Sequence, residues 1–422
     1  MAHHLKQVPP RAPQANEAVQ KTVSEMLSTI EREGEAAIRR YSETLDGWSP
    51  DSFLVDRETA LKAGDELGDE LKAHIAFAQE QIRGFATHQR ATLQDLEVET
   101  LPGVVLGHRH VPVQAVGSYV PGGRYPMLAS SFMTVIVPKV AGVERVVACA
   151  PPQRDQGIHP AMLYAMATSG ADMILALGGV QALAAMALGI EDVEPVDMVV
   201  GAGNAYVAEA KRQLFGRVGI DILAGPTEIL VLADDGADPE LIAADLLGQA
   251  EHGPTSEAVL ITTSHEVGKA ALDAVNRLLE TWPTAEVASQ SWAARGAVIV
   301  AEDEQEAIAL SDAYAPEHLE LQVRDEDIPR WHGKLRNYGS LFLGREATVV
   351  YGDKAVGTNH VLPTDRAARY TGGLWVGKFL KTCTWQRLTP EGTRRVAPAV
   401  AAISDAERFA GHAITARMRI AS

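Results

Sequence analysis

A chain of 422 residues with 38 Lys and Arg against 55 Asp and Glu carries a formal charge of −17, which argues against a nucleic-acid surface, because such surfaces are cationic. Its apolar fraction of 46% and aromatic fraction of 5% suit an α/β protein of roughly two to four structural units, and no run of about 18 apolar residues is present to cross a membrane. The start, Met1-Ala-His-His-Leu-Lys6, has no apolar signal core, so the cytoplasm is the expected compartment; the two cysteines, Cys149 and Cys383, make neither a disulfide scaffold nor a thiolate zinc site.

After Pro9, Pro10 and Pro13, the stretch 17–100 predicts helices, with apolar positions at helical spacing in Val23-Ser-Glu-Met-Leu-Ser-Thr-Ile30. A strand follows at 113–119, closed by the turn Tyr119-Val-Pro-Gly-Gly123. Strands at 145–149 and 173–177 flank a helix at 159–169. A fourth strand, 198–203, ends in glycines and leads into a helix over 204–214. This β-α-β-α order predicts a parallel, doubly wound sheet. A second round begins at 229–233 and continues through 258–262 and 296–300, so two such units are expected. The last forty or so residues read as polar and helical, an arm rather than a core.

Three of these strands end in glycine-rich turns: Tyr119-Val-Pro-Gly-Gly123, Leu177-Gly-Gly-Val-Gln181 and Gly201-Ala-Gly-Asn204. Carboxyl ends of strands are where open α/β sheets bind ligands, and small residues let a phosphate or ring approach the backbone. Each turn alone is equally an ordinary tight βα turn. None matches the G-x-G-x-x-G dinucleotide pattern, yet three in one sheet point to a nucleotide-type ligand.

Metal and proton chemistry is concentrated in the second half. Gln249-Ala-Glu-His252 places an amide oxygen and an imidazole three residues apart, on one face of a helix. Zinc takes about four ligands, and Asp353, on a glycine-flanked loop, offers an anionic third; His412 in the tail offers a fourth. A lone histidine is more often a hydrogen-bonded surface side chain, and the chain has 13. Glu317-His318 follows Ala315-Pro316, which predicts a helix opening with Pro in its first turn. There Glu317 suits a general base toward water and His318 a proton shuttle. Cys149 is a candidate thiol nucleophile for aldehyde chemistry, but its small apolar neighbours favour a buried, inert cysteine.

Five segments in order, Tyr119-Val-Pro-Gly-Gly123, Gly225-Pro-Thr-Glu228, Gln249-Ala-Glu-His252, Tyr314-Ala-Pro-Glu-His-Leu-Glu320 and Asn359-His-Val-Leu-Pro-Thr364, resemble the signature segments of the histidinol dehydrogenase family across nearly the whole chain. The resemblance implies an NAD-linked zinc enzyme that oxidises a primary alcohol through an aldehyde to a carboxylate, using two NAD. It implies an α/β fold of two incomplete Rossmann-like domains with small terminal arms, in a homodimer with shared active sites. The expected division is an N-terminal arm at 1–22, a first domain of 23–118 and 229–370 carrying most zinc and catalytic residues, an NAD-binding domain at 119–228, and a C-terminal arm at 371–422 crossing to the partner.

Motif by motif, the resemblance places Gln249, His252 and Asp353 on the zinc ligands. The segment Glu407-Arg-Phe-Ala-Gly-His412 is similar to the one that supplies His412 as a fourth ligand from the neighbouring subunit. Glu407 falls on a carboxylate that contacts substrate. Glu317 matches the residue that activates water, and His318 the acid–base residue. Thr227, His360 and Ser131 fall on substrate-pocket positions, and Tyr119, Gln181 and Asn204 on NAD contacts. Ala202 departs from the Gly-Pro-Gly-Asn of many relatives.

The substrate segments depart further. Relatives acting on histidinol read Thr-Gly-Gly-Thr-Ala-Arg-Phe and Ser-Gly-Leu-Ser-Val where this chain has Thr364-Asp-Arg-Ala-Ala-Arg-Tyr370 and Gly372-Gly-Leu-Trp-Val-Gly-Lys-Phe379. Leu45-Asp-Gly-Trp48, Tyr338-Gly-Ser-Leu-Phe-Leu-Gly344 and Thr382-Cys-Thr-Trp-Gln386 look more like the sulfopropanediol 3-dehydrogenase branch. A sulfonate substrate needs cations, and Arg124, Arg366, Arg369, Lys378 and Lys381 are candidates, with Trp375 able to reshape the pocket. The expected reaction is therefore oxidation of 2,3-dihydroxypropane-1-sulfonate to sulfolactate, with histidinol or another small polyol as the alternative. Two other classes remain on residue type alone, a zinc hydrolase and a non-catalytic nucleotide or metal binder. The NAD-matching turns and the retained polar positions argue against them.

Overall fold

The computed structural model describes residues 2–7, 17–122, 125–153 and 156–421; Pro9, Pro10, Pro13, Gly123 and Arg124 lie outside the described residues. Two six-stranded sheets form its body. The first runs in the order Leu54–Val55, Met173–Ala176, Arg145–Ala150, Ala115–Tyr119, Met198–Val200, Gly219–Ile220. The second runs His3–Lys6, Gly296–Val300, Glu257–Thr262, Glu228–Ala233, His318–Gln322, Ser340–Leu343. In each, five parallel strands start from an inner strand and wind outward both ways, with one antiparallel strand added at an edge. This is the doubly wound arrangement expected from the alternating pattern, and the strands are buried on both faces, as continuous runs such as Glu228–Ala233 show.

The helices of the first hundred residues pack on the first sheet. Glu17–Glu33 buries Val19, Val23, Met26 and Ile30 against Leu183, Met186 and Val207, and Asp69–Ala91 buries Ile75 and Ile82 beside Phe132 and Ile136. The segment 23–118 thus packs with 119–228, and its helix Asp69–Ala91 also meets 229–370, where Gly357 lies against Gln81 and Phe85. An amphipathic stripe specifies a helix and its buried face but not which sheet receives that face. The N-terminal arm contributes His3–Lys6 to the second sheet.

A third, antiparallel sheet escapes a helical reading of both termini. Leu96–Leu101, Val104–Pro112 and Leu380–Leu388 pair in one small sheet, so the tail begins as a strand before the helices Pro390–Ala406 and Ala410–Ala421 fold on each other. Its strands are mostly exposed and polar, which hides them from a hydrophobic-pattern search.

One glycine of the first sheet is set by close approach. Gly201 has φ +111°, and a Cβ there would lie 2.1 Å from the Tyr119 carbonyl oxygen. Gly248, by contrast, sits in the helix Pro239–Ala250 with open space around it. Gly201→Ala should cost at least about 2 kcal/mol and lower the thermal midpoint. Gly248→Ala should leave it unchanged or raise stability by about 0.5–1 kcal/mol. Differential scanning calorimetry of the two variants checks the opposite signs.

Candidate active site

The glycine turns at the carboxyl edge of the first sheet open into a cleft with two chambers. One, of about 710 Å³, is lined by Tyr119, Gly179, Gln181, Asn204 and Asp46. The other, of about 770 Å³, is lined by Asn204, Gly225, Thr227 and His252. They share Pro121, Gly203 and Asn204. The three residues expected at a nucleotide, Tyr119, Gln181 and Asn204, therefore meet in one chamber. Asn204 also caps the helix Ala205–Leu214, its Oδ1 accepting from the Tyr206 and Val207 amides at 3.0 and 3.1 Å. Lys211 and Asp221, a buried pair, clamp Gly201 from behind: Lys211 Nζ donates to its carbonyl at 2.8 Å and its amide donates to Asp221 at 2.8 Å.

The proton-transfer groups lie at the amino edge of the second sheet. Parallel pairing sets Ile229 beside His318, which brings Thr227 and Glu228 alongside Glu317. Glu317 Oε2 accepts the Thr227 hydroxyl at 2.6 Å and the Glu228 amide at 2.9 Å, and lies 3.4 Å from His318 Nδ1. Gln249 Nε2 donates to the Thr227 hydroxyl, so a relay of hydrogen bonds runs from Gln249 through Thr227 to Glu317. His318 Nδ1 faces the Glu228 carbonyl at 3.0 Å and so carries the hydrogen there. Its Nε2 lies 3.4 Å from Asp353 Oδ1 and has no hydrogen-bond partner, although it is buried.

Charge settles these groups. Burial alone would lower the pKa of His318, but Glu317 and Asp353 outweigh it and push the imidazole well above the ordinary histidine value. Burial would raise the Asp353 carboxyl, yet the adjacent His318 holds it at about 2. His360 joins from the other side. Its Nδ1 donates to the Asp353 carbonyl at 3.1 Å, Ser130 bonds its Nε2 at 2.7 Å, and burial keeps its pKa below the usual value. Ser131, the neighbour expected at substrate, is buried with its hydroxyl unpaired.

Comparison with known proteins agrees with this architecture. The family profile described as Histidinol dehydrogenase matches residues 10–420. The chain belongs to the histidinol dehydrogenase family. It is 53% identical over 402 residues to a histidinol dehydrogenase homolog of Shouchella clausii, covering 95% of this chain and 94% of that one. It is 46% identical to a sulfopropanediol 3-dehydrogenase of Ruegeria pomeroyi, covering 96% and 92%. The crystal structure of histidinol dehydrogenase from Elizabethkingia anophelis superposes with a TM-score of 0.91 at 34% identity, over 98% of this chain and 94% of that one. Membership makes the protein an NAD-dependent oxidoreductase acting on an alcohol.

Placed against the family's pattern, some expectations change. Glu317-His318 does not open a helix: His318 begins the strand His318–Gln322, because Ala315 turns left-handed at φ +52° and ends the preceding helix. His252 lies past the end of Pro239–Ala250, its amide bonded to the Gln249 carbonyl at 3.3 Å, so a single tight turn replaces the expected helical face. Asp353 stands on the short helix Val349–Lys354 rather than on a loop. Cys149 is fully buried and burial pushes its thiol up, which removes it as a nucleophile. His412 and Glu407 are exposed on the tail hairpin, which packs chiefly on itself. Arg366, Arg369 and Lys381 are exposed and Lys378 donates to Thr371 at 2.6 Å; none of these, nor Trp375, lines either chamber.

The donor set fits a zinc ion in kind. Gln249 Nε2 is committed to Thr227, leaving its oxygen free; His252 opens on the cleft; Asp353 is held ionised. Among the described residues, no three His, Cys, Asp or Glu side chains of one chain converge in a metal-holding group, so the set is short of a complete shell.

Sequence reasoning missed a buried layer behind the site. Asp245 lies one turn before Gln249, Glu320 two residues after His318, and Thr348-Val349 one turn before Asp353. Glu320 Oε1 accepts the Val349 amide at 2.9 Å and Asp245 Oδ1 accepts the Thr348 hydroxyl at 2.9 Å, while Glu320 Oε2 is buried without a hydrogen-bond partner. Burial, then Asp245, push the Glu320 pKa well above the ordinary carboxylate value, which favours the protonated form of Glu320. Three catalytic elements are stapled by these two bonds to Thr348-Val349. Glu320→Ala should destabilise by about 3 kcal/mol. Because the folded pKa is raised, the stability that protonated Glu320 contributes is full below the ordinary carboxylate range and erodes as pH rises toward the raised value. Glu320→Gln keeps the acceptor and supplies a permanent donor, so its melting temperature relative to wild type should rise from pH 5 to pH 8; a flat difference would contradict the raised pKa of Glu320.

Proposed function

We propose that the protein oxidises a primary alcohol through the aldehyde to a carboxylate by two successive hydride transfers, and that its substrate is 2,3-dihydroxypropane-1-sulfonate, giving sulfolactate. The reading is carried by the adjacent Glu317 and His318, an acid–base pair whose one unpaired nitrogen, His318 Nε2, lies beside Asp353. Gln249, His252, Asp353 and His412 of a second copy would hold zinc, which would polarise the reacting oxygen, and NAD, when bound, would accept a hydride at each step.

The chain's own groups divide the proton work. His318, whose raised pKa means that it must first release its own Nε2 proton, then takes the alcohol proton at that nitrogen as the hydride departs. The aldehyde has no hydride to give until it is hydrated, and Glu317 takes the proton from the attacking water. Thr227 and the Glu228 amide hold the Glu317 carboxylate in place for that step. Ser131 and His360 border the substrate from the first half of the chain and from the 359–364 segment, and Glu407 closes it from the tail of the second copy.

Three observations support the assembly and the substrate. The tail hairpin leaves Ile403, Phe409, Ile414 and Met418 exposed, and the third sheet leaves Leu96, Val98 and Leu101 exposed, an apolar surface suited to a second copy of the chain. The segment that departs from the histidinol pattern holds Asp365 at φ +54° and Arg366 at φ +63°, where relatives carry glycines. Two side chains kept in the left-handed region cost roughly 1–2 kcal/mol each, a strain that marks a segment shaped for its ligand. The relative from Ruegeria pomeroyi acts on sulfopropanediol by name. A cytoplasmic setting, with neither nucleic acid nor membrane as partner, suits such a reaction; among the described residues no helix is long and apolar enough to cross a membrane.

Glu317→Gln should keep aldehyde reduction within a few fold and lower aldehyde oxidation roughly hundredfold or more. Equal loss in both directions contradicts the division of labour. The substrate is tested by NADH formation with the sulfonate diol, histidinol and simple diols, with and without a chelator. Two NADH per alcohol, confined to the sulfonate and lost to the chelator, is the expected result; turnover of histidinol alone overturns the substrate assignment.

A further inference from the structure

The chamber around Tyr119 and Gln181 has a charged wall that the proton chemistry leaves unused. Asp46 ends the five-residue helical turn Ser42–Asp46, released by Gly47 at φ +65°. It is half-buried and accepts a hydrogen bond from Gln181 Nε2 at 2.9 Å. Among the described residues lining this chamber it is the only one with a formal charge. Gln181 Oε1, fully buried, has no hydrogen-bond partner, so the pair presents acceptors that lack donors.

The two chambers fix which part of a dinucleotide arrives here. Thr227 and His252 line the other chamber, next to Glu317, and a reacting nicotinamide has to lie at that end. The shared neck at Pro121, Gly203 and Asn204 leaves the Asp46 chamber for the far nucleoside. We propose that Asp46 reads the ribose hydroxyls of the adenosine half of NAD and excludes NADP. A carboxylate accepts hydrogen bonds from a 2′-hydroxyl, whereas a 2′-phosphate brings further negative charge against it. Doubly wound dehydrogenases usually deliver such an acid from the end of the second strand. Here it arrives from the helical segment ahead of the sheet. Burial pushes the Asp46 carboxyl up from its ordinary value, against the pull of Gln181.

The inference rests on the cleft being the NAD site, and a binding measurement separates the two. Isothermal titration of the purified enzyme with NAD and with NADP should show wild type favouring NAD. Asp46→Asn should weaken NAD roughly tenfold and tighten NADP, collapsing the ratio, while Asp46→Glu retains the preference. An unchanged NAD to NADP ratio in Asp46→Asn, with binding intact, overturns the role of Asp46 alone. Wild-type protein that binds neither dinucleotide overturns the cofactor reading with it.

Discussion

The Glu317 carboxylate is the fixed point of the catalytic half. One of its oxygens holds the Thr227 hydroxyl and the Glu228 amide, groups on a neighbouring strand, while the other flank of the residue is the peptide to His318. Parallel pairing in register supplies that geometry without any loop having to close. Through Thr227 it reaches Gln249, and through His318 it reaches Asp353. Removing it would leave a buried imidazolium with one counter-charge and a buried amide with none, which is why acid, base and metal donors stand or fall together.

The two sheets meet with unlike edges. The glycine turns sit on the carboxyl ends of the first sheet, where open α/β sheets bind ligands. The proton-transfer residues sit on the amino ends of the second sheet, where strands begin rather than stop. That opposition lets one unit offer glycine backbone and the other offer side chains across a single cleft. The 359–364 segment and the helix Leu128–Ala141 cross-link the halves through His360 with Ser130 and through Asn359 with the Met133 carbonyl at 3.1 Å. Movement of one half would therefore be felt first at His360.

Much of this was legible in the chain. The strands at 145–149, 173–177, 229–233, 258–262 and 296–300 appear within a residue or two of their expected places, since buried parallel strands read as short apolar runs between glycines. The cluster of Thr227, Gln249, Glu317, His318 and Asp353 was legible through motif likeness rather than spacing, for the residues are up to 126 positions apart in the chain and meet only through sheet register. Asp245 and Glu320 were not legible. A carboxylate inside a helix or strand reads as solvent-facing, and only the fold reveals that Glu320 is buried, Asp245 partly so, and that Asp245 raises the Glu320 pKa. The small third sheet was equally hidden, because its apolar side chains, Leu96, Val98 and Leu101, are exposed rather than packed in a core of the chain, and Leu380–Leu388 pairs with a partner far away in sequence.

His412 and Glu407 bear on a different limit. Both stand on a hairpin whose own core is four alanines, Ala397, Ala401, Ala413 and Ala416, a contact too small to hold such an arm rigid by itself. Each buried methyl contributes on the order of 1 kcal/mol, against an ordering cost of similar size for each residue of the arm. The larger side chains, Ile403, Phe409, Ile414 and Met418, all face outward. A sequence that spends its large apolar residues on the outer face of an arm, and small ones on the inner, places the arm's main stabilising contact outside its own chain. The incomplete donor set at Gln249, His252 and Asp353 asks for something from outside as well. Were a second copy of the chain to dock on that face, as proposed above, one event would satisfy both, and oligomer assembly and completion of the site would be a single equilibrium rather than two.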